Sequence, residues 1–456
     1  MTGPVIVPLR ERPDLTAITA ALPERYPYLL ESSAGGPLDR YSLLLRTTGD
    51  TLELHADGRL VGPGEGDAFL DRMEGWYRSE AIEETPLKDT PFIGGWFLYL
   101  GYELAGEIEP SLDLPPARDG LPVALAARCD GAVLVRHGAP ESAALVAECP
   151  EVLDSMTSEL FGIDHDVTAS LTVLDELSAE PAEIFRAQVR TIKEYLLAGD
   201  VFQVNLSRGW QGHISPGVDP VRMYRALRTA NPSPFGGFML HGDHALLSSS
   251  PERLVEVDGR SVQTRPIAGT HPRAADRDQD EALSRRMLAH PKEQAEHIML
   301  IDLERNDLGR VCEPGSVEVD ELMVLESYAH VHHIVSNVRG TLRPDVSPIG
   351  VIRAVFPGGT ITGCPKVRCM EIIAELEGQG RGFYTGSMGY LDRRGRMDLN
   401  ILIRSMLVGP ESLSFRTGAG IVADSDPGLE VSETVHKARG LLAALGGSSL
   451  HSEEVE

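Results

Sequence analysis

Two pairs of glutamates, each spaced three residues apart, are the residues in this sequence best suited to hold a metal ion. Glu293 and Glu296 lie in PKEQAEHIMLIDLERND, and Glu430 and Glu433 lie in DPGLEVSETVHKARG. A spacing of three places both carboxylates of a pair on one helical face. Such pairs are usually solvated surface, but the apolar run after Glu296 indicates a partly buried helix. Buried carboxylates need a cation, and Mg²⁺, which keeps water and substrate oxygens as ligands, meets that need.

A short strand brings a second set of polar side chains together. The run VFQVNLS at residues 201–207 alternates between apolar and polar residues, as a half-buried strand does. Its even-numbered positions are apolar, so Gln203, Asn205 and Ser207 share the opposite face. Such a row commonly faces water. The pattern alone leaves two interpretations open, a solvated strand or the wall of a polar site.

Two glycine-rich stretches could present backbone N–H groups to an anion. The stretch PGGTITGCPK at 357–366 lacks the G-K-[ST] ending of a phosphate loop, and GAGIVA at 418–423 does not open a helix directly, as a dinucleotide fingerprint must. We therefore expect no nucleotide cofactor, although such N–H groups suit a carboxylate. In SSSPERL, Glu252 follows a proline. The usual interpretation of this turn is a local salt bridge, and the alternative is an acid–base role.

The elements that must position these residues indicate an α+β protein. Apolar spacing predicts a helix from Glu183 that ends at Gly199, and Asp426 followed by Pro427 predicts the start of the last helix. Strands in runs, with helices grouped between them, are typical of antiparallel sheets packed with helices. The other expected elements are helices at 279–290 and 291–304, separated at Pro291, and strands at 330–338 and 383–408.

The stretch from about 110 to 180 is the least regular part of the sequence, with prolines, alanine-rich runs and an acidic segment. We interpret it as a lobe edge or crossover. It separates an N-terminal region, 1–150, from a denser catalytic region, 181–445. A chain of 456 residues suits one large body or two merged lobes.

Composition excludes several classes of partner. The chain holds 42 Lys and Arg against 68 Asp and Glu, a formal net charge of −26, which repels nucleic acid and anionic membranes. Its apolar runs near the N-terminus are too short to span a bilayer. The five cysteines form no C-x-x-C pair, which suits a reducing compartment. We therefore expect a cytoplasmic protein with neither a nucleic-acid nor a membrane partner.

Taken in order, the motifs resemble those of the chorismate-utilising enzymes. The matching stretches are YLLESS at 28–33, FIGGWFLYLGYELAGEIEP at 92–110, GDVFQVNLS, NPSPF, SSSPERL, RPIAGT, EHIMLIDLERNDLGRVC, VHHIVSNVRGTL, PGGTITGCPK, YTGSMGY, MDLNILIRSM and GAGIVADSDPGLEVSETVHKARG. They cover residues 181–440 almost continuously. The resemblance implies a large single α+β body of antiparallel sheets packed with helices, like that of anthranilate synthase component I.

The resemblance also implies a role for each acidic residue named above. Glu296 and Glu433 correspond to magnesium ligands, and Glu293 and Glu430 to neighbours that hold metal-bound water. The metal would grip the ring carboxylate of chorismate. Glu252 corresponds to the general acid that assists departure of the C4 hydroxyl group.

Other positions correspond to the walls of the chorismate pocket. Tyr384 and Arg404 match side chains that contact the enolpyruvyl carboxylate, helped by the backbone of Gly418, Ala419 and Gly420. The resemblance further assigns Gln203, Thr270, His333 and Lys366 to the catalytic set, and Gly269, Thr362 and Lys437 to substrate binding.

Position 203 separates the branches of this family. Members that add water to chorismate carry lysine there as a general base, whereas members that add ammonia carry glutamine, because ammonia is already a nucleophile. Gln203 therefore implies amination rather than isochorismate or salicylate synthesis.

The product is predicted from further motifs. QVNLS, NPSPFGGF and GYELAGEIEP resemble aminodeoxychorismate synthase, which implies 4-amino-4-deoxychorismate for 4-aminobenzoate and folate synthesis. Ala268 departs from that pattern, because many such enzymes carry a nucleophilic lysine there, and alanine has no nucleophile. Anthranilate synthases carry alanine, so the alternative is anthranilate and pyruvate for tryptophan synthesis. A third hypothesis is a non-catalytic chorismate- or tryptophan-binding subunit.

Two partners follow from the resemblance. Leu30, Glu31 and Ser32 resemble the segment that helps to form a tryptophan pocket in anthranilate synthases. The chain has no G-x-C-x-G nucleophile elbow. A separate glutamine amidotransferase subunit is therefore expected to supply ammonia, and the chain alone is expected to use ammonium salts.

Overall fold

The computed structural model describes residues 3–36, 38–82, 87–138, 142–163, 174–215, 217–273, 276–289, 291–327 and 331–446; the side chains of 174–176, 270–272, 291–293 and 331 lie outside that description. The helices are α1 Leu15–Ala21, α2 Phe69–Glu80, α3 Ala105–Ile108, α4 Pro150–Leu160, α5 Ala182–Ala198, α6 Pro220–Ala230, α7 Arg277–Leu288, α8 Pro291–Gly309, α9 Pro348–Val355, α10 Lys366–Glu377 and α11 Pro427–Ala444.

The strands are β1 Val5–Pro8, β2 Tyr28–Glu31, β3 Tyr41–Leu54, β4 Leu60–Val61, β5 Gly95–Leu100, β6 Ala124–Arg136, β7 Ala143–Ala147, β8 Leu174–Ala179, β9 Gln203–Ile214, β10 Phe235–His241, β11 His244–Ser250, β12 Arg253–Asp258, β13 Ser261–Thr264, β14 Ile267–Pro272, β15 Glu318–Ser327, β16 Val331–Thr341, β17 Gly363–Cys364, β18 Ser387–Asp392, β19 Met397–Asn400, β20 Ser405–Val408 and β21 Ser412–Ile421.

These strands join into one branched sheet whose pairings, among the described residues, are antiparallel. From β6, the first arm runs through β3, β2, β10, β11, β20 and β21 to β9. The second arm runs from β6 through β5, β18, β19, β12 and β13 to β16. The expected α+β fold of antiparallel strands packed with helices is confirmed.

The branch point lies in the stretch from about 110 to 180, which the sequence suggested is a lobe edge or crossover. This stretch contains β6, a 13-residue strand that pairs with β3, β5 and β7. Its alanines fit this place because β6 is covered on both sides, where large side chains would collide.

Apolar clusters hold helices against each arm. Ile301 on α8 and Ile352 on α9 pack with Val255 of the second arm. Leu227 on α6 and Leu441 on α11 belong to a cluster with strands of the first arm. Burying each such side chain is worth about 1.5–3 kcal/mol. This packing fixes α8 and α11, the two helices that carry the glutamate pairs.

Local signals set the ends of these helices. Asp426 caps α11, because its Oδ1 accepts the N–H groups of Gly428 and Leu429 at 2.8 and 3.0 Å, a contribution of about 1 kcal/mol. Gly199 ends α5 with a φ of 81°, a conformation that favours glycine. The helices expected at 279–290 and 291–304 correspond to α7 and α8, although α8 extends to Gly309. No described helix is both long and apolar enough to cross a membrane.

Candidate active site

The candidate site lies where the two arms of the sheet separate. β11 pairs with β20 in the first arm, and β12 pairs with β19 in the second. The chain therefore passes between arms twice, at the turn that holds Glu252 and at the link that ends in Arg404. The N–H of Ile401 donates to the Glu252 carbonyl at 3.0 Å, and that of Ser249 donates to the Arg404 carbonyl at 3.1 Å. These bonds hold the acid and the guanidinium at the fork.

Glu252 is buried and has the acidity that a general acid needs near neutral pH. Burial raises its pKa to about 7, although the Thr360 hydroxyl, the backbone N–H of Ile267 and the positive charges of Arg404 and Lys437 oppose the rise. A carboxyl group with a pKa near 7 can hold a proton near neutral pH and release it in a reaction. The sequence left open a local salt bridge between Glu252 and its neighbour Arg253. In the structure Arg253 forms its ion pair with Asp398.

Arg404 and His333 share this buried region. Burial lowers the pKa of the Arg404 guanidinium, while the negative charge of Glu252 raises it. Burial lowers the pKa of His333 to about 3, and the positive charge of Arg404 contributes to the decrease. This imidazole is therefore neutral and serves as a hydrogen-bonding group. The register of β14 on β16 places Thr270 opposite His333, with Gly269 at a φ of 80° beside it. The side chain of Thr270 lies outside the described residues.

The paired strands β9 and β21 carry further predicted site residues, and two glycines of β21 let neighbouring side chains approach its backbone. A Cβ atom at Gly420 would lie 2.5 Å from Gln203 Nε2 and 3.5 Å from Glu296 Oε1. A Cβ atom at Gly418 would lie 2.6 Å from the Tyr384 hydroxyl oxygen. Gln203 is only 3% exposed. Gln203 and Ser207 are buried, so the polar row does not face water; that it forms the wall of a polar site stays a prediction.

Lys437 and Tyr384 lie beside the same strands. Lys437 Nζ donates to the Gly418 carbonyl at 2.9 Å and forms an ion pair with Glu433 Oε1 at 2.7 Å. Burial raises the pKa of Tyr384 to about 12 even though the charge of Arg381 opposes this, so the phenol stays a hydrogen-bond donor. Ala419, between the two glycines, is fully buried and pairs with Leu206 through its backbone.

The four glutamates are divided between α8 and α11. Glu430 is buried, Glu296 is partly buried, and the Glu433 side chain is 47% exposed. Glu293 is in the first turn of α8, and its side chain lies outside the description. Among the described residues, no three acidic, histidine or cysteine side chains already surround a common point. A donor set of carboxylate oxygens still fits Mg²⁺, which takes its remaining ligands from water and substrate.

Lys366 and Thr362 contact protein groups in this structure. Lys366 Nζ lies 2.5 Å from Asp307 Oδ2 and donates to the Val355 carbonyl at 3.2 Å. Thr362 Oγ1 donates to the Gly358 carbonyl at 2.9 Å. The backbone of this stretch contacts β9, because the Asn205 N–H donates to the Thr362 carbonyl at 2.9 Å and Gly363 pairs with Val204.

Sequence reasoning did not single out Arg381, which contacts both β9 and Tyr384. Its guanidinium donates to the Asn205 carbonyl and to Glu377 Oε1, both at 2.7 Å, and lies over the Tyr384 ring at 5.6 Å from the centroid. The available signal was the spacing of four between Glu377 and Arg381, which favours an ion pair, although α10 ends at Glu377 and Arg381 follows that end.

A second cavity, of about 490 Å³ counting space open to solvent, contains the predicted tryptophan segment. Leu30, Glu31 and Ser32 line one side of it, and Phe235 and Arg253 line another. Glu31 accepts hydrogen bonds at 2.9 Å from Tyr224 and from Arg228. The Glu31 carboxylate is thus fixed at the cavity wall.

Comparison with known proteins identifies the class to which this fold and site belong. The sequence pattern of the chorismate binding enzymes matches residues 52–443, so the chain belongs to that family and is a chorismate-utilising enzyme. It is 44% identical to an anthranilate synthase component I-like protein of Synechocystis over 386 residues, which is 84% of this chain and 79% of that protein.

Relatives with two different names cover nearly the whole chain. Anthranilate synthase component 1 of Pseudomonas putida is 38% identical over 92% of this chain and 90% of its own length. Aminodeoxychorismate synthase component 1 of Bacillus subtilis is 39% identical over 91% of both chains. The crystal structure of anthranilate synthase component I from Streptococcus pneumoniae superposes with a TM-score of 0.76, at 30% identity, over 88% of this chain and 92% of that one.

Proposed function

We propose that this enzyme aminates chorismate with ammonia in the presence of Mg²⁺ and forms 4-amino-4-deoxychorismate. The observation that carries the amination is Gln203, which is buried on β9 beside Gly420. A glutamine amide cannot remove a proton from water, so the arrangement suits a nucleophile that needs no general base. Ammonia is such a nucleophile.

The chain's own residues account for binding and for the movement of a proton. Arg404 and Tyr384 are suited to the enolpyruvyl carboxylate, since Arg404 offers a partly buried positive charge and Tyr384 a phenol that remains protonated. Glu252 gives its proton to the C4 hydroxyl oxygen as the C–O bond breaks, and water leaves. Ammonia forms a new C–N bond at C4, and the ammonium group formed then loses a proton to solvent, so that an amino group replaces the hydroxyl group that left as water.

Glu296 and Glu433 would hold the metal, with Glu293 and Glu430 beside them. When bound, Mg²⁺ would neutralise and polarise the ring carboxylate of chorismate. Glu433 must then exchange its ion pair with Lys437 for the metal, which would leave the Lys437 ammonium group available to substrate.

Support for the 4-amino product comes from QVNLS, NPSPFGGF and GYELAGEIEP, and from the identity with the aminodeoxychorismate synthase of Bacillus subtilis over most of both chains. The second candidate product is anthranilate, released with pyruvate. It is favoured by Ala268, a buried methyl group at 4% exposure that supplies no nucleophile, and by relatives named anthranilate synthase. In either case ammonia would come from glutamine through a partner amidotransferase.

The acid role of Glu252 provides the test of this proposal. With ammonium salt and Mg²⁺, Glu252→Gln should lower kcat by about 100-fold, because general acid catalysis is worth 10²–10⁴-fold. Glu256→Gln is the matched control, since Glu256 also lies on the β12 side of the turn but pairs with Arg40 and Arg253. Full activity in Glu252→Gln would refute the assignment.

A further inference from the structure

The loop that carries Tyr384 lies against the N-terminal region of the chain. This loop connects α10, which ends at Glu377, to β18, which begins at Ser387. Its residues 381–386 are buried. The strand that follows, β18, pairs with β5 of the N-terminal region, and Ser387 lies opposite Leu100. The loop and the segment that follows Leu100 are therefore neighbours.

Glu103 binds the backbone of this loop. It lies in the short turn Tyr102–Leu104 that follows β5. Its Oε1 accepts the backbone N–H of Arg381 at 2.6 Å, and its Oε2 accepts that of Gly382 at 3.1 Å. In return, the Tyr102 N–H donates to the Gly382 carbonyl at 2.8 Å. Hydrogen bonds to a charged acceptor are about twice as strong as neutral ones, so the Glu103 carboxylate fixes two consecutive peptide groups of the loop.

A second carboxylate of the N-terminal region binds the next peptide group. Asp119 Oδ2 accepts the backbone N–H of Phe383 at 3.3 Å, and its Oδ1 accepts that of Leu121 at 3.1 Å. Gly382 has a φ of 59°, and a Cβ atom there would lie 2.0 Å from Asp119 Oδ2. Glycine at position 382 therefore lets this carboxylate approach the loop so closely.

The same loop sets the position of Tyr384. The Tyr384 N–H donates to the Arg381 carbonyl at 3.0 Å, so the peptide group between Arg381 and Gly382 joins Tyr384 to Glu103. The Arg381 guanidinium also lies over the Tyr384 ring. At its far end the phenol lies against β21, because a Cβ atom at Gly418 would be 2.6 Å from the hydroxyl oxygen. A shift of the loop would therefore move the phenol relative to β21.

Glu103 carries its negative charge in slightly alkaline solution. Burial raises its pKa to about 7, although the backbone N–H groups of Arg381 and Gly382 oppose the rise. A buried carboxylate is costly unless hydrogen-bond donors satisfy it. The N–H groups of the loop are such donors, so the loop and the carboxylate stabilise each other above pH 7.

We propose that Glu103, assisted by Asp119, is a positioning residue for chorismate: it holds the loop 381–383 so that the Tyr384 phenol meets the enolpyruvyl carboxylate. This inference rests on the substrate-binding role proposed for Tyr384. The N-terminal region then contributes to substrate binding through a residue that does not touch the substrate. The enolpyruvyl carboxylate is bound both before and during the reaction at C4. Loss of this contact should therefore raise the KM for chorismate and leave kcat nearly unchanged.

The test is steady-state kinetics of Glu103→Gln at pH 8, with ammonium salt and Mg²⁺. Glutamine keeps one carbonyl oxygen, and its NH₂ group cannot accept the second backbone N–H. We expect the KM for chorismate to rise about tenfold, while kcat and the KM for ammonia stay within about twofold of the wild type. Glu107→Gln is the matched control, because Glu107 accepts the N–H groups of Phe69 and Leu70 in α2, both at 2.8 Å. Its KM for chorismate should not change.

A double variant separates the position of the phenol from a general effect on the fold. Tyr384→Phe keeps the ring but removes the hydroxyl group. If Glu103 acts through that group, Glu103→Gln combined with Tyr384→Phe should show the same KM for chorismate as Tyr384→Phe alone. Two effects that multiply would overturn the inference.

The single variants distinguish failure of the inference from failure of the proposed function. If Tyr384→Phe raises the KM but Glu103→Gln leaves it unchanged, or lowers only kcat, the positioning role is refuted. If Tyr384→Phe leaves the KM unchanged, the binding role of Tyr384 fails and the inference fails with it. If Glu103→Gln does not fold, Asp119→Asn should raise the KM for chorismate about threefold, and an unchanged KM would refute the positioning.

Discussion

Replacing Gly420 by alanine tests whether β9 and β21 form the wall of the active site. The added Cβ would lie 2.5 Å from Gln203 Nε2, whereas ordinary contacts begin near 3.4 Å, so the amide must move by about 1 Å. Overpacking a buried site costs about 1–3 kcal/mol, and because Nε2 is the end of a side chain that can move, the cost in folding free energy should lie near the lower limit. A displacement of 1 Å at reacting groups can cost about 100-fold in rate.

We therefore expect Gly420→Ala to lower kcat/KM by 10- to 100-fold, while the Tm stays within a few degrees of the wild type. The assay is chorismate consumption with ammonium salt and Mg²⁺, with thermal melting measured on the same preparations. Gly75→Ala is the control, because a Cβ at Gly75 in α2 meets nothing within 4 Å. Activity of Gly420→Ala within twofold of the wild type would contradict the placement of Gln203 at the reaction centre.

Three further predictions follow from the same geometry. Glu296→Gln should lower magnesium-dependent turnover at least about 100-fold, whereas Asp302→Asn, which removes an exposed carboxylate on the same helix, should not; equal loss in both would count against the metal assignment. Tryptophan, if it occupies the cavity beside Glu31, should release heat in calorimetry and inhibit turnover, and the absence of both would exclude it. Ala268→Lys should change the ratio of 4-amino product to anthranilate, and an unchanged ratio would place residue 268 away from the reacting ring carbon.

The sequence predicted those parts of the fold that depend on local signals. Asp426, Pro427 and Gly199 mark helix ends through their own hydrogen bonds and backbone angles, so the expected boundaries agree with α11 and α5. The resemblance to a known family predicted the antiparallel α+β architecture, and the structure and the relatives confirm it.

The fork that holds Glu252 and Arg404 could not be read from local pattern. It depends on β11 pairing with β20 while β12 pairs with β19, contacts between residues more than 100 positions apart. The same holds for Lys366, whose partner Asp307 is on a different helix. Periodicity assigns a residue to a face of its own element, but packing between elements decides which groups share a buried volume.

If the enzyme aminates chorismate, nitrogen from ammonia becomes part of a chorismate-derived product. The most direct measurement is to incubate the purified chain with chorismate, Mg²⁺ and ¹⁵N-ammonium, and to identify the labelled product by chromatography and mass spectrometry. We predict labelled 4-amino-4-deoxychorismate, which an added lyase converts to 4-aminobenzoate. Labelled anthranilate released with pyruvate would support amination but show that the second candidate product is formed. An unlabelled isochorismate product would contradict amination.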